Sequence, residues 1–169
     1  MAELTTPQPA RHPAPTVKAR KLAYLLFERP DLEKAERFLN DFGLHTVSRS
    51  SEALYLRGTD PESFCYRVAK GDEAGFVGLG FEVGSGEELA RLSRLPEASA
   101  IQPADYPGGG ERVRLTDPSG FTVEAIHGQT PAEPLPHRAA LPINFPERQP
   151  RVNGTQRSPV APPEAVSYT

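Results

Sequence analysis

Cysteine, basic charge and long apolar runs are all scarce in this chain, and each scarcity removes a class of function. Cys65 is the only cysteine in 169 residues, so no disulfide staples the chain and no cysteine cluster holds a metal. It lies in the strand-like run SFCYRVA and reads as a buried structural thiol. A net charge of −3 and a pI near 5.8 provide no basic field for nucleic acid or anionic lipid. No apolar run is long enough to span a bilayer and the N-terminus shows no apolar signal core, so the expected location is cytoplasmic. In that location the sequon at Asn153 stays unmodified.

Proline is plentiful, and it divides the chain. Pro7, Pro9, Pro13 and Pro15 stand among small polar residues that bury too little apolar surface to offset their ordering entropy. Residues 1–18 are therefore expected to form a disordered leader. From residue 129 onward prolines recur so closely that no regular element runs far, which predicts a Pro-rich tail or linker over 129–169, pinned locally by Leu141, Ile143 and Phe145. The folded domain is expected over residues 19–128.

Within that span one order of elements occurs twice. KLAYLLFE suits a strand, and after Pro30 the segment DLEKAERFLNDFG places Leu32, Ala35, Phe38, Leu39 and Phe42 on one helical face, with Gly43 as the stop. HTVSRS, ALYLRG and SFCYRVAKG then read as three short strands. FVGLGFEV restarts the pattern, Ser85 and Glu88 form a capping box for a helix carrying Leu89, Leu92 and Leu95, and a weak strand near 99–102 precedes the strands ERVRLT and FTVEAI. The fold class is α+β: two tandem βαβββ units forming one cupped mixed sheet.

The last two strands form a hairpin with readable turn chemistry, because Asp117 suits the first turn position, Pro118 presets φ at the second and Gly120 tolerates the chain reversal at its close. Alternation turns Glu124 inward and sets Arg112 and Arg114 on the same face, so a cross-strand Arg–Glu pair is the simplest account of that carboxylate. In FVGLGFEV the same alternation puts Phe76, Gly78, Gly80 and Glu82 on one face, stripped of side chains at its middle. Those glycines admit either a ligand or a closely packed neighbour. His127 falls on the face opposite Glu124, His45 reads as a solvated loop residue, and His12 and His137 belong to the chain ends.

PDLEKAERFLNDFGL, GLGFEV and LTDPSGFTVE, in that order and spacing, resemble the vicinal oxygen chelate superfamily of glyoxalases, bleomycin-resistance proteins and type I extradiol dioxygenases. The resemblance covers most of residues 21–127. INFPERQPRVNGTQRSPVAPPEAV resembles the connector after the N-terminal module of two-module extradiol enzymes, so the tail is read as a linker to a missing second module. Full-length relatives hold Fe(II) with two His and one carboxylate. Carried onto this sequence, the first His position falls on Tyr24 and the second on Gly78, which leaves Glu124 as the one residue able to ligate. No metal site, no cofactor and no catalytic residue are therefore expected in this chain, and one carboxylate alone does not hold iron against water.

Tyr24, Gly78, Arg114 and Glu124 are taken as the cup-lining residues of a ligand site. The resemblance implies either an N-terminal module of an extradiol ring-cleavage dioxygenase of aromatic catabolism, inactive alone and supporting a catalytic second module, or a stand-alone binder of the bleomycin-resistance type. The binder would sequester a small aromatic ligand, and its expected partner is a second copy of the chain.

Overall fold

The computed structural model describes residues 13–136. His12, His137, the sequon at Asn153 and the tail residues Leu141, Ile143 and Phe145 lie outside them. The described chain runs β1 (Ala19–Arg29), α1 (Leu32–Phe42), β2 (His45–Arg49), β3 (Ala53–Arg57), β4 (Tyr66–Lys70), then β5 (Gly75–Val83), α2 (Gly86–Leu92), β6 (Gln102–Pro103), β7 (Glu111–Thr116) and β8 (Thr122–His127). These are the two expected βαβββ units. They form one eight-stranded mixed sheet in the order β2-β3-β4-β1-β5-β8-β7-β6, with β1 and β5 joining the units antiparallel at its centre.

Local chemistry explains most of the boundaries. Asp31 caps α1 by accepting from Lys34 N at 2.9 Å, and Gly43 closes it in the left-handed region at φ 109°. Ser85 caps α2, while the Glu88 carboxylate accepts from Gly84 N at 2.5 Å, one residue before the position a capping box would use. In the final hairpin Asp117 Oδ1 accepts from Ser119 N and Phe121 N, and Gly120 takes φ 91°. The weak strand near 99–102 shrinks to Gln102–Pro103, because Pro103 has no N–H to extend the ladder. His45 opens β2 opposite Arg57 instead of lying in a loop, and it stays exposed.

The sheet has two differently furnished faces. On the outer face, Leu54, Leu56 and Val68 pack against Leu32 and Leu39 of α1, and Val83, Val113 and Ala125 pack against Leu89 and Leu92 of α2. Phe38 and Phe42 share the apolar stripe of α1 by periodicity, yet they are 66% and 64% exposed and stack on each other beside the sheet. The stripe is broader than the part of it that the sheet covers. On the inner face Tyr24, Leu26, Phe64 and Ile126 form a third core, with Tyr55, Val77 and Tyr106 against it.

Three bulges between β1 and β5 govern which side chains reach that inner face. The register skips Arg20 and Ala23 on β1 and, further along, Val77 on β5. Phe27 pairs with Phe76 while Leu26 pairs with Gly78, so Phe76 and Gly78 point to opposite faces although they are two residues apart. The simple alternation that grouped Phe76 with Gly78 and Gly80 fails there. Phe76 instead contacts the rings of Phe27 and Phe121 on the outer side.

Candidate functional site

One row of side chains crosses the floor of the cup. Tyr24 on β1 stands in register with Gly80 on β5, Gly80 with Glu124 on β8, and Glu124 with Arg114 on β7. Gly80, not Gly78, is therefore the β5 member of the row. A Cβ at Gly80 would lie 2.3 Å from the Tyr24 ring, so the tyrosine occupies the room that a β5 side chain would need. Gly78 pairs with Leu26 and Thr122, and a Cβ there would run into the Thr122 backbone. Its missing side chain serves strand packing.

Glu124 has no exposed surface, and donors surround it. Tyr24 Oη donates to Oε2 at 2.8 Å, Arg114 Nε donates to Oε1 at 2.6 Å, and Tyr106 Oη lies 3.2 Å from both oxygens. Arg112 Nη1 approaches Oε1 to 3.5 Å, close enough for an ion pair and too far for a hydrogen bond. A buried carboxylate is stable only with such pairing, and both of its oxygens are already engaged. Burial first, and the adjacent carboxylate second, push the Tyr24 phenol far above its ordinary range, so it stays protonated as the donor. Tyr106 moves in the same direction for the same two reasons.

Aromatic rings fill the space around this cluster. Tyr24 stacks on Phe64 with centroids 4.6 Å apart, and Tyr106 meets Tyr24, Phe64 and Tyr55 at centroid distances of 5.7, 5.4 and 5.9 Å. Tyr106 reaches inward from the loop between β6 and β7, where Gly108, Gly109 and Gly110 all take positive φ. Above the rings an open cleft of about 690 Å³ is walled by β2, β3, β4, β7 and the Tyr106 loop.

The structure thus brings Tyr24, Arg114 and Glu124 together and leaves Gly78 beside them. Tyr106, Phe64, Arg67 and Arg112 are further members of the site. Arg112 was legible from its alternation with Arg114. Tyr106 was not, since the run Tyr-Pro-Gly-Gly-Gly signals a turn and carries no sign that the turn folds back into the cup.

A metal of the kind that the resemblance implies does not fit these residues. Glu124 carries three hydrogen-bond donors, Tyr24 is a neutral phenol, Gly80 has no side chain, and His127 lies across the sheet with Nδ1 3.2 Å from Val83 O. Among the described residues no group of three or more His, Cys, Asp or Glu is placed to hold a metal ion, and no helix is long and apolar enough to cross a membrane.

No family model and no curated protein sequence matches this chain. Solved structures do. A Mn(II)-bound glyoxalase from Novosphingobium aromaticivorans is 18% identical with a TM-score of 0.65, over 73% of this chain and 44% of that one. An extradiol ring-cleaving dioxygenase from B. fuscum is 23% identical with a TM-score of 0.62, over 73% and 37% of the two chains. A variant of homoprotocatechuate 2,3-dioxygenase from B. fuscum is 24% identical with a TM-score of 0.63, over 75% and 37%. The chain spans less than half the length of each of these structures, and its two βαβββ units in one mixed sheet have the glyoxalase/extradiol dioxygenase fold.

Proposed function

We propose that this chain is a non-catalytic module of the extradiol dioxygenase architecture, which supports an iron-bearing module and does not itself cleave the ring. One observation carries the reading: the only carboxylate at a ligand position, Glu124, is held by Tyr24, Tyr106 and Arg114, while Tyr24 and a glycine occupy the row where two imidazoles would be needed. Catechol cleavage by a mononuclear iron needs several convergent protein donors and open positions for catechol and dioxygen. Here the donors converge on one another. The module contributes surface and rigidity to an assembly, and the chemistry belongs to its partner.

Elemental analysis of the purified chain together with oxygen uptake on catechol tests this. The expected outcome is iron far below one atom per chain and no uptake. Stoichiometric iron with ring cleavage by this chain alone overturns the reading.

The cleft above Tyr106 favours a second reading, in which the chain binds a small aromatic molecule in its own right, as bleomycin-resistance proteins do. Its size falls in the range of about 300–1,000 Å³ usual for small-molecule sites. Saturable binding of an aromatic solute by the metal-free chain supports this reading, and its absence across a panel of such solutes rejects it.

A further inference from the structure

Arg67, Arg112 and Arg114 line the cleft, and the hydrogen-bond pattern leaves two of them short of acceptors. Arg114 is the satisfied one, through its bond to Glu124. The Arg112 side chain is only 10% exposed, yet neither Nε nor Nη1 makes a hydrogen bond, and its guanidinium lies 4.3 Å from the Tyr106 ring centroid. Both atoms are buried and Glu124 already stands 3.5 Å from Nη1, so Arg112 gives the cleft its positive charge and not these donors. Arg67 has no ion pair among the described residues. Its one side-chain hydrogen bond is Nε to Tyr55 Oη at 3.3 Å, and its guanidinium carbon stands 5.8 and 5.7 Å from the Tyr55 and Tyr106 rings.

We propose that the cleft binds a small aromatic carboxylate, with the acid group against the guanidinium groups of Arg67, Arg112 and Arg114 and the ring against Tyr55 and Tyr106. The charge pattern selects a monoanion. Glu124 pairs with Arg112 and Arg114, which leaves Arg67 to attract one negative charge, while the exposed rim carboxylates Asp105 and Glu52 repel a polyanion. The tyrosine faces select a planar apolar body, which stacks on a ring or on a guanidinium plane. This inference deepens the binding reading and rests on it, while the iron content tests the module reading separately.

Benzoate titrated into the full chain by calorimetry, with benzamide as its neutral isostere and inorganic phosphate as an anion lacking a ring, makes the test. Benzoate is expected to saturate below about 10 mM and benzamide to bind at least about tenfold more weakly, with phosphate failing to displace benzoate. Arg67→Gln is expected to weaken benzoate about tenfold, and Asp105→Asn, at an exposed rim position, to tighten it by about twofold or more at low salt. Equal binding of benzoate and benzamide leaves a neutral aromatic site and overturns the charge recognition proposed here. Displacement by phosphate reduces the site to a general anion patch, and no saturation by benzoate, or an Asp105→Asn variant no tighter than the parent, also overturns the proposal.

Discussion

A carboxylate without exposed surface persists only while donors surround it, and at Glu124 the donors differ in how much they matter. Arg112 is nearly as buried as Glu124, so removing the carboxylate strands a guanidinium that already lacks acceptors. Glu124→Ala is therefore expected to destabilise the fold by about 3–5 kcal/mol. Arg114 is 46% exposed and its charge is partly screened, so Arg114→Ala is expected to cost only about 1–2 kcal/mol. Denaturant midpoints of the two variants check the order, and equal losses would show that Glu124 is not the hub. The phenols add a pH dependence. Burial first, and Glu124 second, raise Tyr24 and Tyr106, so the unfolded chain releases these protons near pH 10 while the folded chain keeps them. Their contribution is complete below about pH 10 and declines as pH rises beyond it, with burial of Cys65 adding an onset near about pH 8.5. Tyr24→Phe should flatten the fall of the unfolding midpoint between about pH 10 and 11, and a slope equal to the parent's would remove Tyr24 as its source. The inward carboxylate and its arginine were legible because alternation is local. Of the two phenols that complete the cluster, Tyr24, 100 residues away, was placed by the resemblance, whereas Tyr106, 18 residues away in a loop, is announced by no local pattern.

At the scale of elements, periodicity identified helices and strands correctly and overstated what they bury. Leu32, Ala35, Phe38, Leu39 and Phe42 recur at helical spacing, but only those facing β3 and β4 are covered. Leu39→Ala is expected to cost about 2–5 kcal/mol, whereas Phe38→Ser should stay within about 0.5 kcal/mol of the parent. A loss at Phe38 as large as at Leu39 in urea unfolding would mean that a further surface covers this helix. Strand β5 shows the converse difficulty. Its glycines were visible in the sequence, but the bulge at Val77 that reverses Phe76 depends on pairing with β1, some fifty residues earlier in the chain. The glycine loop before β7 is the third case. Gly110 takes φ 94° and a Cβ there would lie 2.6 Å from His127 O, so Gly110→Ala should cost about 1–3 kcal/mol and disturb the seating of Tyr106, read as a change in near-ultraviolet circular dichroism.

Across the whole described molecule, the two units meet at β1 and β5, and the cup is walled by β2, β3 and β4 of one unit and by β7 and the Tyr106 loop of the other. The doubled order of elements made that architecture readable from the sequence. Where the domain's contacts end was less readable, because proline removes donors without preventing a segment from docking. Beyond β8, residues 129–136 return along residues 57–63: Ala132 N donates to Pro61 O and Leu135 N to Thr59 O, each at 2.8 Å, while Thr130 N donates to Gly108 O of the glycine loop. Arg57, only 8% exposed, donates from Nη2 to Glu133 O at 2.7 Å and to Asp60 O at 2.9 Å. The three backbone bonds are worth about 0.5–1.5 kcal/mol each, a gain that the ordering of the segment opposes. The deciding contribution is therefore burial of Arg57, which loses an acceptor without gaining full access to water if the segment is removed. A chain ending at Gly128 is expected to be about 1–3 kcal/mol less stable than one ending at Pro136, and to melt several degrees lower. Arg57→Met in the shorter chain should recover part of that difference, since an apolar side chain of similar length leaves no donor unpaired. Equal melting of the two truncated chains would show that the segment lies on the domain without holding it.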